Sequence, residues 1–250
     1  MERLLITVCT YNELENIRQL IPDLRAIAPH ADILVIDDNS PDGTAKTVEE
    51  FSATDARVLL QRRPEKLGLG TAILCGFRYA VDNRYDLLIN LDADFSHNPR
   101  YIPDLLKCVE SCDVAIGSRY ARGGGAVRWN WWRRLISVSI NLYARCLLGL
   151  RTQDNSGSYR CYRVSRLAQL DWNRVISVGY AFLEEVLYRC RVVGCTFGEV
   201  PIVFENRRHG MTKINWKEAV EAVWVISLLG LQRLRKVPVH TTASDSGEDD

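Results

Sequence analysis

The chain has 250 residues, 47% hydrophobic and 25% charged, enough to bury a full core in one domain with or without an appendage, as in an ordinary globular protein. Its 32 Lys and Arg against 31 Asp and Glu exclude a strongly basic or acidic protein, although the segment from Arg119 to Arg166 holds ten arginines and one acid, Asp154. The longest apolar run, "AVWVISLLGL" at 222–231, is about half of the roughly 20 residues that a membrane-spanning helix needs.

In chain order, "LLITVC" (4–9), "DILVID" (32–37), "RVLLQ" (57–61), "DLLINLD" (86–92) and "DVAIGS" (113–118) are apolar runs of strand length. Helical patterns fill the intervals near 13–27, 42–53, 69–83 and 99–110. That alternation predicts an α/β fold, a mostly parallel sheet with helices on both faces. "RGGGA" at 122–126 is read as a mobile loop rather than a domain boundary. Near the C-terminus, Trp216 and Lys217 precede the longest apolar run and "RLRK" (233–236) follows it. This suits either a helix at a membrane interface or a core helix. The terminal "SDSGEDD" reads as a disordered tail. The divisions are therefore 1–215, a catalytic-size domain; 216–237, an amphipathic helix; and 238–250, an acidic tail. The opening "MERLLITVCTYNE" carries no secretory signal, so eight scattered cysteines are read as reduced, half-buried thiols of a cytosolic protein. Only Cys108 and Cys112 are closely spaced, without the second pair that a thiolate zinc site would want.

Three of the strands run into polar clusters at their C-terminal ends: "TYNE", "DDNSPDGT" and "DADFSHNP". In an open parallel sheet those ends form one edge, where ligand crevices lie. Asp92 and Asp94 stand one residue apart there, and two close carboxylates repel unless a cation lies between them. Hard oxygen ligands point to Mg2+ or Mn2+ shared with substrate phosphates, hence to a phosphorylated donor. The bland alternative has Asp94 capping the next helix and Asp92 meeting solvent. Asp37 and Asp38 can accept from ribose hydroxyls or a base. Neither a dinucleotide fingerprint nor a P-loop is present. Gly68 and Gly70 in "EKLGLGTA" follow the third strand and are read as close packing near the nucleotide. His97 is read as a surface residue at a helix start, with a place near the metal as the alternative.

Together with "IGSRY", "DNSGSYRCYR" and "GEVPIVFENRRHGMTK", these motifs resemble the inverting glycosyltransferases of family 2, with the GT-A fold, in order over about residues 3–215. The resemblance is greatest to the branch that makes lipid-linked mannose for protein glycosylation. It implies a GDP-mannose donor, a polyprenyl or dolichyl phosphate acceptor, a divalent metal and peripheral contact with the cytoplasmic face of a membrane, directly or through a small membrane subunit. By similarity, Tyr11, Glu13, Ile36 and Asp38 would hold the guanine nucleoside. Asp92, Ala93 and Asp94 would meet metal and donor phosphates, joined by Arg119, and Arg207 and Lys213 would close over the diphosphate. Cys9 stands where the family usually has Pro, so contacts there fall to the backbone.

The resemblance also gives the basic middle a use. Arg133 and Ser137, one helical turn apart in "WWRRLIS", would present a charge and a hydroxyl to the acceptor phosphate. Trp129, Trp131 and Trp132 suit a membrane interface, or core packing. Asp154 would orient the arginines or contact the sugar. Three rivals are weighed: a nucleotide-sugar pyrophosphorylase would carry a Gly-rich loop where "TYNE" stands; a non-catalytic binding protein would tolerate loss of residues that are intact here; and nucleic-acid binding lacks a recognised motif. A polyprenyl-phosphate glucosyltransferase using UDP-glucose shares much of the pattern.

Overall fold

Four apolar runs form strands buried on both faces, which is why they read as near-continuous hydrophobic stretches rather than alternating ones. They are Leu4–Thr10 (β1), Asp32–Asp37 (β2), Leu87–Asp92 (β4) and Val114–Ser118 (β5), and the less covered Val58–Arg62 is β3. The computed structural model describes residues 2–127, 129–205 and 216–234. Within it the main sheet has seven strands in the order β3-β2-β1-β4-β7-β5-β8. Here β7 is Arg160–Arg163 and β8 is Phe197–Pro201. All neighbours pair in parallel except β7, which lies antiparallel between β4 and β5.

The strand β7 leaves no hydropathy signal, since "RCYR" is half arginine. Its first residue, Arg160, is fully buried, donating to the Leu183 and Asn155 carbonyls at 2.7 and 2.6 Å. A second departure lies in the stretch read as a loop: Gly125–Ala126 (β6) pairs in parallel with Val203–Phe204 (β9). Two residues are too few for a period to show.

Helices cover both faces, as the alternation predicts. On one side Leu14–Ile27 (α1), Thr44–Thr54 (α2) and Ile102–Val109 (α4) close a core with the sheet. The helix α1 buries Ile17, Leu20, Ile21 and Leu24, one stripe at helical spacing. On the other side lie Leu69–Asp82 (α3), Val164–Leu167 (α6), Phe182–Val192 (α7), and parts of Trp131–Leu148 (α5) and Trp216–Leu234 (α8).

The last helix packs one face on the core, as the core-helix reading expects, and leaves apolar residues exposed on the other. Ala222, Val225, Ile226 and Leu229 are buried, the larger ones worth roughly 1.5–3 kcal/mol each. Val220, Val223, Trp224, Leu231 and Leu234 are exposed. On the neighbouring α5, Trp131, Trp132, Leu135, Ile136 and Leu142 are exposed as well. Arg233 of α8 donates to the Cys146 and Leu147 carbonyls at 3.2 and 3.0 Å, placing a cation on the negative end of α5. Among the described residues no helix is long and apolar enough to cross a membrane.

The glycines of "LGLG" permit close contact, in keeping with their reading from sequence. A Cβ on Gly70 would lie 2.6 Å from Phe182 Cβ and 2.9 Å from the Gly179 carbonyl oxygen, and the Gly70 amide donates to the Val178 carbonyl at 3.0 Å. Gly70→Ala is expected to destabilise the fold by about 1–3 kcal/mol through overpacking. A urea midpoint equal to that of wild type would show that the contact is not tight.

Candidate active site

At the carboxyl ends of β1, β2 and β4 a pocket opens, lined by Cys9, Tyr11, Glu13, Asp38, Asp92, Ala93 and Asp94. Thr10, Lys66, Gly68, Leu69, Ala72, Gly179 and Tyr180 complete its wall. Strand register brings the first set together: Cys9 pairs with Ile36 on one side and with Asp92 on the other.

The loops after β1 and β2 hold each other in shape. Asp37 is consumed by structure, accepting from Thr10 Oγ1 at 2.8 Å, the Ser40 amide at 2.9 Å and Ser40 Oγ at 2.6 Å. In return Ser40, Thr44 and Asp42 accept the amides of Asn12, Glu13 and Leu14. Asn12 and Asn39 take positive φ at these turns, which asparagine tolerates. Of the two aspartates, Asp38 is therefore the one that faces the pocket. Arg63 Nη1 lies 3.2 Å from Asp38 Oδ1, an ion-pair distance without hydrogen-bond alignment. Burial raises Asp38 above the ordinary carboxylate range, and Arg63 opposes that rise. Burial, then the Asp92 and Asp38 carboxylates, push the Cys9 thiol far up, so it stays protonated. Lys66 Nζ lies 4.6 Å from the Tyr11 ring centroid. Ile36 does not line the pocket: its side chain is buried in the core near Gly76.

Asp92 and Asp94 face one cavity, each held from behind. Asp92 Oδ1 accepts from Ser158 Oγ at 2.6 Å, and Asp94 Oδ1 accepts from the Ser96 amide at 3.0 Å. The cap of the next helical turn is Asn98, which accepts from the Arg100 amide, so Asp94 is not spent on that task. Two hard oxygen donors at an open pocket, with no cluster of three His, Cys, Asp or Glu among the described residues, suit magnesium or manganese sharing phosphate oxygens and not structural zinc.

His97 corrects the surface reading. It is buried, lies 5.2 Å from the Tyr159 ring and 5.5 Å from Phe204, and accepts the Asp92 amide on Nδ1 at 3.3 Å. Burial holds it below the ordinary histidine range, against the pull of Asp92 and Asp94, so the imidazole is neutral at pH 7.

Beyond Asp92, the loop 152–158 ties the site together. Asp154 is fully buried and takes Arg119 Nε at 2.7 Å, Nη2 at 2.6 Å and the Arg119 amide at 2.9 Å. It also accepts the Gly157 amide at 3.1 Å, while its own amide donates to Glu199. Burial alone would raise Asp154; the Arg119 charge and these bonds outweigh it and hold the carboxyl low. Of the two roles considered for Asp154, orientation of an arginine is the one these contacts describe. Asn141 of α5 donates to Ser156 Oγ and the Ser137 carbonyl and accepts the Asn155 amide at 2.6 Å, which locks α5 to the same loop. Tyr120 OH donates to Ser137 Oγ at 2.6 Å and leaves the serine proton for another acceptor. The Arg133 amide is capped by Asn130, and its guanidinium carbon stands 4.5 Å from the Trp129 ring centroid.

Seven of the residues predicted for the nucleotide sugar thus line one pocket, while Arg119, Arg133, Ser137 and Asp154 gather behind Asp92. Arg207 and Lys213 lie outside the described residues, as does 238–250. Reading the sequence missed Lys66, although it stands within the quoted "EKLGLGTA". It also missed Gly179 and Tyr180, which enter the wall from far along the chain without a local signal.

The model of the family described as "Glycosyl transferase family 2" matches residues 5–170. An undecaprenyl-phosphate mannosyltransferase of Micrococcus luteus is 39% identical over 229 residues, 92% of this chain and 94% of that protein. A polyprenol monophosphomannose synthase of Mycolicibacterium smegmatis is 37% identical over 233 residues, 92% of this chain and 88% of that protein. Among solved structures, glucosyl-3-phosphoglycerate synthase of Mycobacterium tuberculosis with Mn2+, UDP and glucosyl-3-phosphoglycerate superposes with a TM-score of 0.60 at 16% identity. That superposition covers 93% of this chain and 79% of the other, a likeness of fold.

The Arg119–Asp154 pair carries a stability prediction. Asp154→Asn leaves a buried guanidinium without its counter-charge, and a loss of about 3–5 kcal/mol at pH 7 is expected. Because the folded carboxyl is held below its unfolded value of 3.8, its contribution is complete above that value and is lost as pH falls through the folded one. The gap in urea midpoint between wild type and variant should therefore narrow below about pH 4. A gap independent of pH would assign the loss to packing instead.

Proposed function

This chain belongs to glycosyl transferase family 2, and from that membership we propose that it moves mannose from GDP-mannose to the phosphate of a polyprenyl or dolichyl monophosphate, releasing GDP. The observation that carries this reading is one loop, 152–158, that holds both the carboxylate Asp92 of the donor pocket and the arginine Arg119 behind it. Both relatives are named for mannose transfer to such lipids, and that supports the choice of sugar and acceptor.

In this reading Tyr11, Glu13 and Asp38 take the nucleoside. Guanine offers two adjacent N–H groups on its pairing edge, which suits carboxylate acceptors on the pocket wall. Asp92 and Asp94 would hold a magnesium or manganese ion, whose charge offsets that of the departing diphosphate. By the family resemblance, Arg207 and Lys213 would add positive charge to the diphosphate.

The acceptor needs little chemical activation. A phosphomonoester with a second pKa of about 6 is already largely ionised at neutral pH, so no side chain must remove a proton first. Its oxygen attacks C1 of mannose opposite the diphosphate. The new C1–O bond forms as the old one breaks, and the electron pair leaves with GDP. The remaining task is orientation and charge, and we assign Arg119, which the resemblance would have joining the donor phosphates, to the acceptor phosphate together with Arg133 and the hydroxyl of Ser137, because it does not line the donor pocket. The exposed apolar faces of α5 and α8 are the surface we assign to peripheral contact with the cytoplasmic face of a membrane, directly or through a small membrane subunit.

The test is transfer of labelled mannose from GDP-mannose into solvent-extractable lipid, with purified protein, polyprenyl phosphate and detergent, in magnesium, manganese or chelator. Metal-dependent label is expected in the lipid, and Asp92→Asn should remain folded and lose about 100-fold or more of the rate. Label from UDP-glucose but not GDP-mannose would sink the donor assignment. Full activity of Asp92→Asn would sink the metal site.

A further inference from the structure

Trp129 occupies a place that the roles assigned above leave unexplained. Its ring centroid lies 4.5 Å from the guanidinium carbon of Arg133 and 5.4 Å from that of Arg119. One indole thus stands against both cations assigned to the acceptor phosphate. The ring is itself fixed edge-to-face on Phe204 at 5.6 Å, and Phe204 lies 5.5 Å from the Arg119 guanidinium carbon.

Holding two guanidiniums against one ring is unfavourable before an anion arrives, because like charges repel. Asp154 answers only part of the problem: it takes Nε and Nη2 of Arg119, and no hydrogen bond to Arg119 Nη1 occurs among the described residues. The negative face of an indole attracts a cation without neutralising it, so a ring can hold a guanidinium in place without itself accepting its N–H hydrogen bonds. A carboxylate at the same position would compete with the phosphate for those protons. The indole also brings a donor of its own. Trp129 Nε1 is buried and has no hydrogen-bond partner among the described residues, an uncompensated state that an oxyanion seated beside the ring would relieve. With Ser137 Oγ accepting from Tyr120 and keeping its own proton to give, Arg119 Nη1, Trp129 Nε1 and Ser137 Oγ are all donors. A donor-rich cluster of this kind recognises a phosphate dianion.

We propose that Trp129 is a positioning residue for transfer, its indole holding the Arg119 and Arg133 guanidiniums at the separation that receives the acceptor phosphate. The inference rests on the assignment of those arginines to the acceptor in the proposed function. Its signature is a split between the two substrates: loss of the ring disturbs the acceptor and spares the nucleotide sugar, since Trp129 is absent from the donor pocket wall.

The experiment measures apparent KM for polyprenyl phosphate in detergent and for GDP-mannose, with manganese, on full-length wild type, Trp129→Leu and Trp129→Phe. Trp129→Leu is expected to raise the acceptor KM by about 5- to 30-fold, the scale of one or two cation–π contacts, with the GDP-mannose KM within about twofold of wild type. Trp129→Phe, which keeps an aromatic face, should recover most of the acceptor affinity. If Trp129→Leu does not fold, a tetrafluorinated tryptophan placed at position 129 keeps the shape and removes the negative ring face, and the acceptor KM should rise in the same direction. An unchanged acceptor KM in either ring-deficient protein overturns the proposal, as does a parallel rise in both KM values, which a merely structural role would give. Absence of any lipid product from wild type would instead overturn the function on which the inference stands.

Discussion

The buried pair of Arg119 and Asp154 is the interaction around which the rest of the site is arranged. A carboxylate with no exposure cannot remain charged without its cation and several N–H donors, and Asp154 has both. Satisfying it fixes the loop 152–158, and that loop then joins Asp92 to the arginine side of the site. Through Ser158 it holds Asp92; through Ser156 it holds Arg119; through Asn155 and Asn141 it anchors α5, which bears Arg133 and Ser137. Asp92, Arg119 and the helix bearing Arg133 are therefore positioned by one piece of backbone, rather than by two halves free to drift apart. A transfer reaction that relies on orientation more than on a protein base benefits from such a linkage.

The antiparallel strand β7 is the structural consequence. It follows the loop directly, and its Arg160 reaches back to the Asn155 carbonyl while also holding the Leu183 carbonyl at the start of α7. A fully buried arginine in the middle of a sheet is costly unless its donors are used; here Nη1 and Nη2 tie the loop to the helix whose preceding residues, Gly179 and Tyr180, line the pocket, while Nε has no partner among the described residues. Nearby, burial pushes Glu184 up to about 7, with Arg160 and Arg119 opposing the rise. The layer beneath the site is thus built of charge, and the apolar cores lie on either side of it.

The exposed surface follows a different rule. The helices α5 and α8 each keep one face in or against the core and turn tryptophans, leucines and valines outward on the other. Helices that are apolar on both faces bury one against the protein and have the other available for an apolar surface. Arg133 and Ser137 stand on α5 itself, so a lipid phosphate held there would have its hydrocarbon chain beside that outward face.

The sequence by itself determined the five parallel strands, the helices between them and the edge at which their polar ends meet. Those features rest on hydropathy periods of two to four residues, and each residue's neighbours in the chain carry the signal. It also determined that Asp92 and Asp94 share that edge, since adjacent parallel strands end together. What only the tertiary structure decided depends on partners distant in the chain. Arg119 and Asp154 are 35 residues apart, and Asp92 and Ser158 are 66 apart. His97 looks like a surface residue until Tyr159 and Phe204 close over it, and "RCYR" shows no strand pattern, yet β4 and β5 receive it on either side. Burial of a polar side chain is permitted only where distant groups satisfy it, and no local period records which groups those will be.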